Sequence, residues 1–448
     1  MRLSIALCAS AVTAASLPAA ELTEGIPLAE FGQVNSVSPE EAEAGIDMGY
    51  TLLQRGSQEG YPLETFGSVH HVTPEAAKQH VDLGGNNFSV LPIFGPGHES
   101  DLDSWLDKQD HGHGHHHGLD ELEDRLRHKH GEAITKVEDI IDDFLSTRDI
   151  EERDAGDCAN PRIRYEWDDY SAAHKKQFTS AIQCLIKKPA SGKVSYSKNR
   201  YEDLVRIHQA YAPNIHSRST SAQTHKFLLW HRYYLWAFEQ VLREDCGFTA
   251  PMPWWDEKKW AGRYAQSTLF TPEYFGTLPG ATNGRGTCIY NGAFGGLQSN
   301  LGPGSTVNNP HCVQRAVNEQ TTAQTGVNAY NTCLARTSYP DFHSCVEFTF
   351  HAQGHNGIGA TMADAIASPG DPAFFMHHSY VDYVFRKWQL GALSRRNTIS
   401  GCATNDGCTP LTLDTVIYMG NICKNCPDLP VRDIIRTLQG KFCYKYNY

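Results

Sequence analysis

The sequence is poor in long apolar runs. Beyond the first twenty residues no stretch reaches the roughly 20 residues that cross a bilayer, so a membrane partner is not expected. Positive charge is also scarce, with a formal net charge of −12. Nowhere do Lys and Arg interleave with aromatics in the pattern that tracks a phosphate backbone, so nucleic acid is not an expected partner either. Cys423 and Cys426 form a CxxC that lacks a second such pair, which argues against a zinc ribbon.

The N-terminus carries an export pattern. Arg2 precedes an apolar run and then small residues through Ala20, so 1–20 reads as a signal peptide cleaved between Ala15 and Ala20, and the protein as secreted. Of 13 cysteines Cys8 leaves with that segment, and twelve remain. An even number in an exported chain implies disulfides, whose pairing the sequence leaves open. Asn87-Phe88-Ser89 is the one standard glycosylation sequon.

A chain of 448 residues accommodates an enzyme core of about 300 residues with an appendage. Charge marks the boundary. Residues 21–157 hold 30 Asp/Glu against 9 Lys/Arg, whereas 158–448 hold 21 against 29. Within the acidic part, 26–49 recurs at 61–84 with 11 of 24 positions identical, a duplication too short for a solenoid. A tract from His111 to His117 with five histidines follows, then a charged amphipathic helix over 119–145. Residues 21–157 are read as a removable acidic prosegment that complements the basic core and whose histidines help to load metal; a plain solvated leader is the alternative.

From Cys158 the sequence turns helical. Trp167, Tyr170, Phe178, Ile182 and Leu185 share a stripe that ends before Pro189. His208 lies on the apolar face of a second helix with Tyr201, Leu204 and Val205, and His231 on that of a third, 227–244. His216 falls in the loop between them. Further on, His351 and His355 are four apart and stack one turn apart on a helix. "GDPAFF" announces another helix, with Asp371 as N-cap and Pro372 as N1. There Phe374, His378, Val381 and Phe385 share a stripe, which turns His378 inward and places His377 about 100° round. Two sets of three neutral imidazoles without matching carboxylates or thiolates suit copper, which accepts nitrogen in both oxidation states.

"FLLWHRYYLWAFE" and "DPAFFMHHSYVDYVFRKWQ", with the HxxxH of His351 and His355, resemble the two copper-binding signatures of the tyrosinase and catechol oxidase (polyphenol oxidase) family, in its secreted fungal form. The resemblance runs from Cys158 to the C-terminus. It implies a mainly α fold, a four-helix bundle holding a dicopper centre, with long loops and the acidic N-terminal extension outside it. It also implies two copper ions, copper A held by His208, His216 and His231, and copper B by His351, His355 and His378. His225 is the alternative loop ligand; His216 is preferred because its spacing from His208 fits the family. No Cys-x-His precedes it, so no thioether crosslink is expected. The ending "CYKYNY" resembles the family's closing tyrosine motif, with Tyr444 and Tyr446 set against Arg162 or Arg164 and the dibasic Arg395-Arg396 inside the domain.

Two positions bear on the phenols used. Family members proficient with monophenols often carry Asn just after the first copper B histidine, where Ala352 stands; Asn356 follows the second. The acidic residue that accepts the phenol proton usually lies farther upstream, where His343 stands. Glu347, one turn before His351, is the remaining carboxylate for that task, and Glu347 and Asn356 are the candidate catalytic residues. The implied activity is oxidation of small o-diphenols to o-quinones with O₂, and monophenol hydroxylation beyond it. A haemocyanin-like O₂ carrier, an oxidase of phenols within a peptide or natural product, and a copper-storage protein centred on the histidine tract are the alternatives.

Overall fold

A computed structural model describes residues 158–447. The signal segment, the duplication, Asn87, the histidine tract and the 119–145 helix lie outside the described residues. The core is mainly helical, as expected. A short parallel sheet closes one end, with β1 (Arg162–Glu166) between β2 (Pro253–Trp254) and β3 (Tyr444–Tyr446). Arg162 pairs with Tyr444 and Arg164 with Tyr446, so the first and last strands of the core lie side by side.

Trp167 and Tyr170 precede the first helix, because Ser171 caps it: its side chain accepts from His174 N at 3.2 Å and α1 runs Ala172–Lys187. Helix α2 (Arg200–Ile215) continues through Pro213, and His216 is the residue that ends it. Helix α3 (Phe227–Cys246) stops at Gly247, whose φ of 62° brings Gly247 N and Phe248 N back to Arg243 O and Leu242 O. Helix α4 (Tyr339–Val346) passes into α5 (Ala352–Ile358) through a wide π-type turn over Glu347–His351. Such turns add a residue to the helix and recur at functional sites. Helix α6 (Ala373–Leu390) starts one residue later than the sequence places it, with Pro372 preceding its first residue. Asp371 Oδ1 accepts from Ala373 N at 2.9 Å, and the carboxylate also receives both Nε and Nη2 of buried Arg315, at 2.7 and 2.9 Å.

Helices α2, α3, α5 and α6 surround the histidines, and α1 braces α2 and α3. The burial of α6 corrects one expectation. All its residues but Lys387 are buried, His377 included, because neighbours pack it on every side. A one-stripe reading therefore underestimates what its other faces can do.

Twelve cysteines form six disulfides: Cys158–Cys443, Cys184–Cys246, Cys288–Cys312, Cys333–Cys345, Cys402–Cys408 and Cys423–Cys426. The first joins the two ends of the core. Alongside it, Asp382 of α6 collects Arg232 Nε (2.6 Å), Arg164 Nη1 (3.3 Å) and the hydroxyls of Tyr444 and Tyr446 (2.5 Å each). The Arg164 guanidinium lies 3.5 Å from the Tyr444 ring centre. The closing tyrosines thus meet Arg164, as anticipated. Arg395 and Arg396 sit in a short turn just past α6, inside the domain.

Candidate dicopper centre

Two histidine sets meet at the middle of the helices. His208, His216 and His231 form one; His351, His355, His377 and His378 form the other, and within each the candidate donor atoms lie within 4.8 Å of one another. The sets abut: the His231 and His378 rings stack at 4.1 Å with a 10° tilt.

Backbone carbonyls orient most of the rings. His208 Nδ1 donates to Ile366 O (2.8 Å), His231 Nδ1 to Phe227 O (2.9 Å), His351 Nδ1 to Glu347 O (3.1 Å) and His355 Nδ1 to Met362 O (2.6 Å); His216 Nδ1 reaches Ala212 O at 3.3 Å. A carbonyl only accepts, so each Nδ1 carries the proton and each Nε2 lone pair is left for a metal. Nε2 of buried His208 and His231 has no hydrogen-bond partner. His355 and His378 bring their Nε2 atoms to 3.0 Å of each other.

Burial keeps these imidazoles neutral. It lowers His208 to about 4, and pushes His231 and His378 well below the ordinary value, with the neighbouring histidines adding to the effect. Neutral imidazole is the form that ligates. Buried, all-nitrogen, with proton-bearing Nδ1 atoms anchored to the backbone, the donor sets fit two copper ions. Two phenylalanines pack against them. Phe227 lies 4.4 Å from His351 and 4.7 Å from His231, and Phe374 lies 4.1 Å from His378 and 5.2 Å from His208.

The structure brings His216 to the first set and keeps His225 away. His225 Nδ1 accepts from Cys402 N at 3.0 Å, and its ring packs on His343 at 4.9 Å. Glu347 is wholly buried: Oε1 accepts from Ser217 N (2.8 Å) and Oε2 from Ser217 Oγ (2.6 Å), with His343 Nδ1 3.6 Å away. Burial raises its carboxyl to about 8 against the opposing pull of Ser217. Ala352 is buried and Asn356 half-buried on α5 beside His355.

Sequence reasoning missed His377 and its partner. His377 Nδ1 pairs with Glu257 Oε1 at 2.6 Å, while Tyr264 OH donates to Glu257 Oε2 at 3.0 Å. Its Nε2 has no hydrogen-bond partner. The ring passes over Gly354, where a Cβ would stand 2.5 Å from His377 Cε1, so the glycine inside the HxxxH segment is a signal in retrospect. No sequence spacing links Glu257 to α6.

The described core matches the common central domain of tyrosinase over residues 198–390. The chain is 30% identical over 301 residues to the tyrosinase ustQ of Aspergillus flavus, spanning 64% of this chain and 80% of that protein. It is 28% identical over 344 residues to tyrosinase P of Aspergillus terreus, spanning 64% of this chain and 93% of that one. A polyphenol oxidase from Thermothelomyces thermophila shares the fold with a TM-score of 0.60 at 22% identity, covering 69% of this chain and 98% of that chain. Together with the paired histidine nests, these matches establish that the chain belongs to the tyrosinase family, as an oxidase with a coupled dicopper centre.

Proposed function

We propose that this protein oxidises small o-diphenols to o-quinones, with O₂ reduced to water. His208, His216 and His231 would hold copper A, and His351, His355 and His378 copper B. The observation that carries this reading is the contact of two all-imidazole sets, buried but for half-buried His216, through the His231–His378 stack. Two adjacent coppers supply the two-electron chemistry that diphenol oxidation requires.

The rest falls to the chain. Phe227 and Phe374 fill the space around the rings and keep bulk water from them. Glu347 has both oxygens engaged by Ser217, so it acts by holding the loop that bears His216. Asn356, beside His355, is the side-chain amide offered at the rim of copper B. With Ala352 in place of Asn after His351, diphenols are favoured over monophenols. His377, pinned by Glu257, orients its neighbour His378. Secretion after loss of 1–20 and a prosegment over 21–157 complete the reading, on the strength of the charge division at Cys158.

The test is oxygen consumption by the copper-loaded protein with a catechol and a monophenol in parallel, in the full chain and in one beginning at Cys158. Turnover of the catechol is expected, faster without 21–157. Reversible O₂ binding with no turnover would overturn the enzymatic reading in favour of an O₂ carrier, and equal rates in the two forms would remove the blocking role.

A further inference from the structure

The segment that bears His216 is the only stretch between two ligands of the copper A set that leaves the helices. From Ser217 to Lys226 it is irregular, with an exposed tip around residues 218–221. Its internal bonds tie the tip to itself: Ser217 Oγ meets Thr224 O at 3.1 Å, Arg218 N and Ser219 N donate to Ala222 O, Ser219 Oγ accepts from Ser221 N and Ala222 N, and Gln223 Nε2 donates to Thr220 O at 2.7 Å. A ligand on such a segment needs outside support to hold its place, since a shift of about 1 Å is enough to spoil a site.

That support comes from a distant part of the chain. Cys402–Cys408 closes a small loop with a sequence separation of 6, and the loop lies along the His216 segment. Asn405 Nδ2 donates to His216 O (3.0 Å) and Pro213 O (3.2 Å), reaching both the ligand residue and the last turn of α2. Thr224 Oγ1 donates to Ala403 O at 3.2 Å. His225 and Cys402 exchange bonds in both directions, His225 N to Cys402 O at 2.7 Å and Cys402 N to His225 Nδ1 at 3.0 Å. Arg218 meets Asp406 at the exposed edge. The fit is close: a Cβ at Gly401 would stand 2.6 Å from His225 Cγ, and Gly401 has a φ of +98° that favours glycine. Within the loop, Ala403 N to Thr409 O and Leu411 N to Gly401 O keep its arms paired, so the disulfide shapes the surface that Asn405 and Ala403 present.

We propose that the disulfide-closed loop 402–408 is a clamp that positions the copper A ligand His216, with Asn405 as its positioning residue. It does for this chain what a covalent tether on the ligand would do, and the chain has no Cys-x-His to form one. The inference rests on His216 as a copper A ligand. Glu347 grips Ser217, so the residue that follows the ligand is held as well.

The experiment follows copper release from the loaded full chain into a Cu(I)-specific chelator under a mild reductant that leaves disulfides intact. The wild type, Asn405→Asp and Cys402→Ser/Cys408→Ser are compared, with total copper measured by mass spectrometry. Asn405→Asp keeps the shape and removes the donor. Loss of one of two coppers at least tenfold faster in both variants, with the second leaving at the wild-type rate, is the expected result. Release at wild-type rates, or acceleration of both coppers together, would overturn the clamp. Should the double serine variant not fold, Asn405→Asp decides alone, since it retains the disulfide. A wild type that binds two coppers, paired with a His216→Ala variant that still binds two, refutes the ligand assignment instead.

Discussion

Substituting Asp382 by Asn removes one negative charge from the most connected buried carboxylate among the described residues near the site. The carboxylate accepts from Arg232, Arg164, Tyr444 and Tyr446, and all five side chains are buried. Arg164 would retain Glu239 at 3.5 Å, and Arg232 would retain Gln389 Oε1 at 3.1 Å, so neither guanidinium is wholly abandoned. Breaking a buried pair while leaving its partner charged costs about 3–5 kcal/mol, and the remaining contacts place this case near 4. For the 290 described residues, an unfolding entropy of about 2.1 cal/mol/K per residue gives about 0.6 kcal/mol/K, so the melting temperature should fall by about 7 °C. The sign with pH follows from the charge balance. Burial alone would raise the Asp382 carboxyl, but Arg232 and Arg164 outweigh it and hold it below its usual value of 3.8. The stabilisation is therefore complete above about pH 4 and is lost as the pH falls through the lower folded value. Calorimetry of the wild type and Asp382→Asn should show the same gap at pH 7 and at pH 5, closing only as the pH is taken below about 4. A gap under about 1 kcal/mol at pH 7 would refute the view that this cluster holds the histidine-bearing α3 and α6 to the closing strands.

Other consequences are open to measurement. Gly354→Ala drives a methyl toward a ring fixed by Glu257, so a loss of about 1–3 kcal/mol in thermal unfolding is expected, together with weaker copper retention. Opening Cys158–Cys443 by paired Ser substitution frees a sequence separation of 285; chain entropy puts the loss at about 5.6 kcal/mol in urea unfolding, while copper content stays at two per chain. Because burial holds His208 near 4, copper titration of the metal-free protein should still reach two equivalents at pH 5 and fail only on further acidification. An ordinary imidazole at that pH is roughly thirtyfold more protonated than neutral, so failure already at pH 6 would contradict the buried geometry.

Much of this was readable in advance because helical periodicity is local. His208, His231, His351, His355 and His378 each announced themselves by an apolar stripe or an i, i+4 spacing, and Asp371-Pro372 marked the start of α6 through the chemistry of a helix N-terminus. His377 was misjudged, since periodicity identifies one inward face and α6 is enclosed on all of them. Glu347 was visible as a nearby carboxylate, but its engagement by Ser217 was not, for 130 residues separate them.

By itself the sequence determined the helices, the imidazole-only donor sets, the twelve cysteines of 158–448 and the charge division at Cys158, all of which depend on neighbours in the chain or on composition. Only the tertiary structure decided that His216 rather than His225 lies with His208 and His231, that His377 is tied to Glu257, and that the cysteines pair as they do. Each of these turns on which surfaces meet across long separations. Such meetings are set by the packing of α2, α3, α5 and α6 about a shared centre, and spacing along the chain carries no record of it.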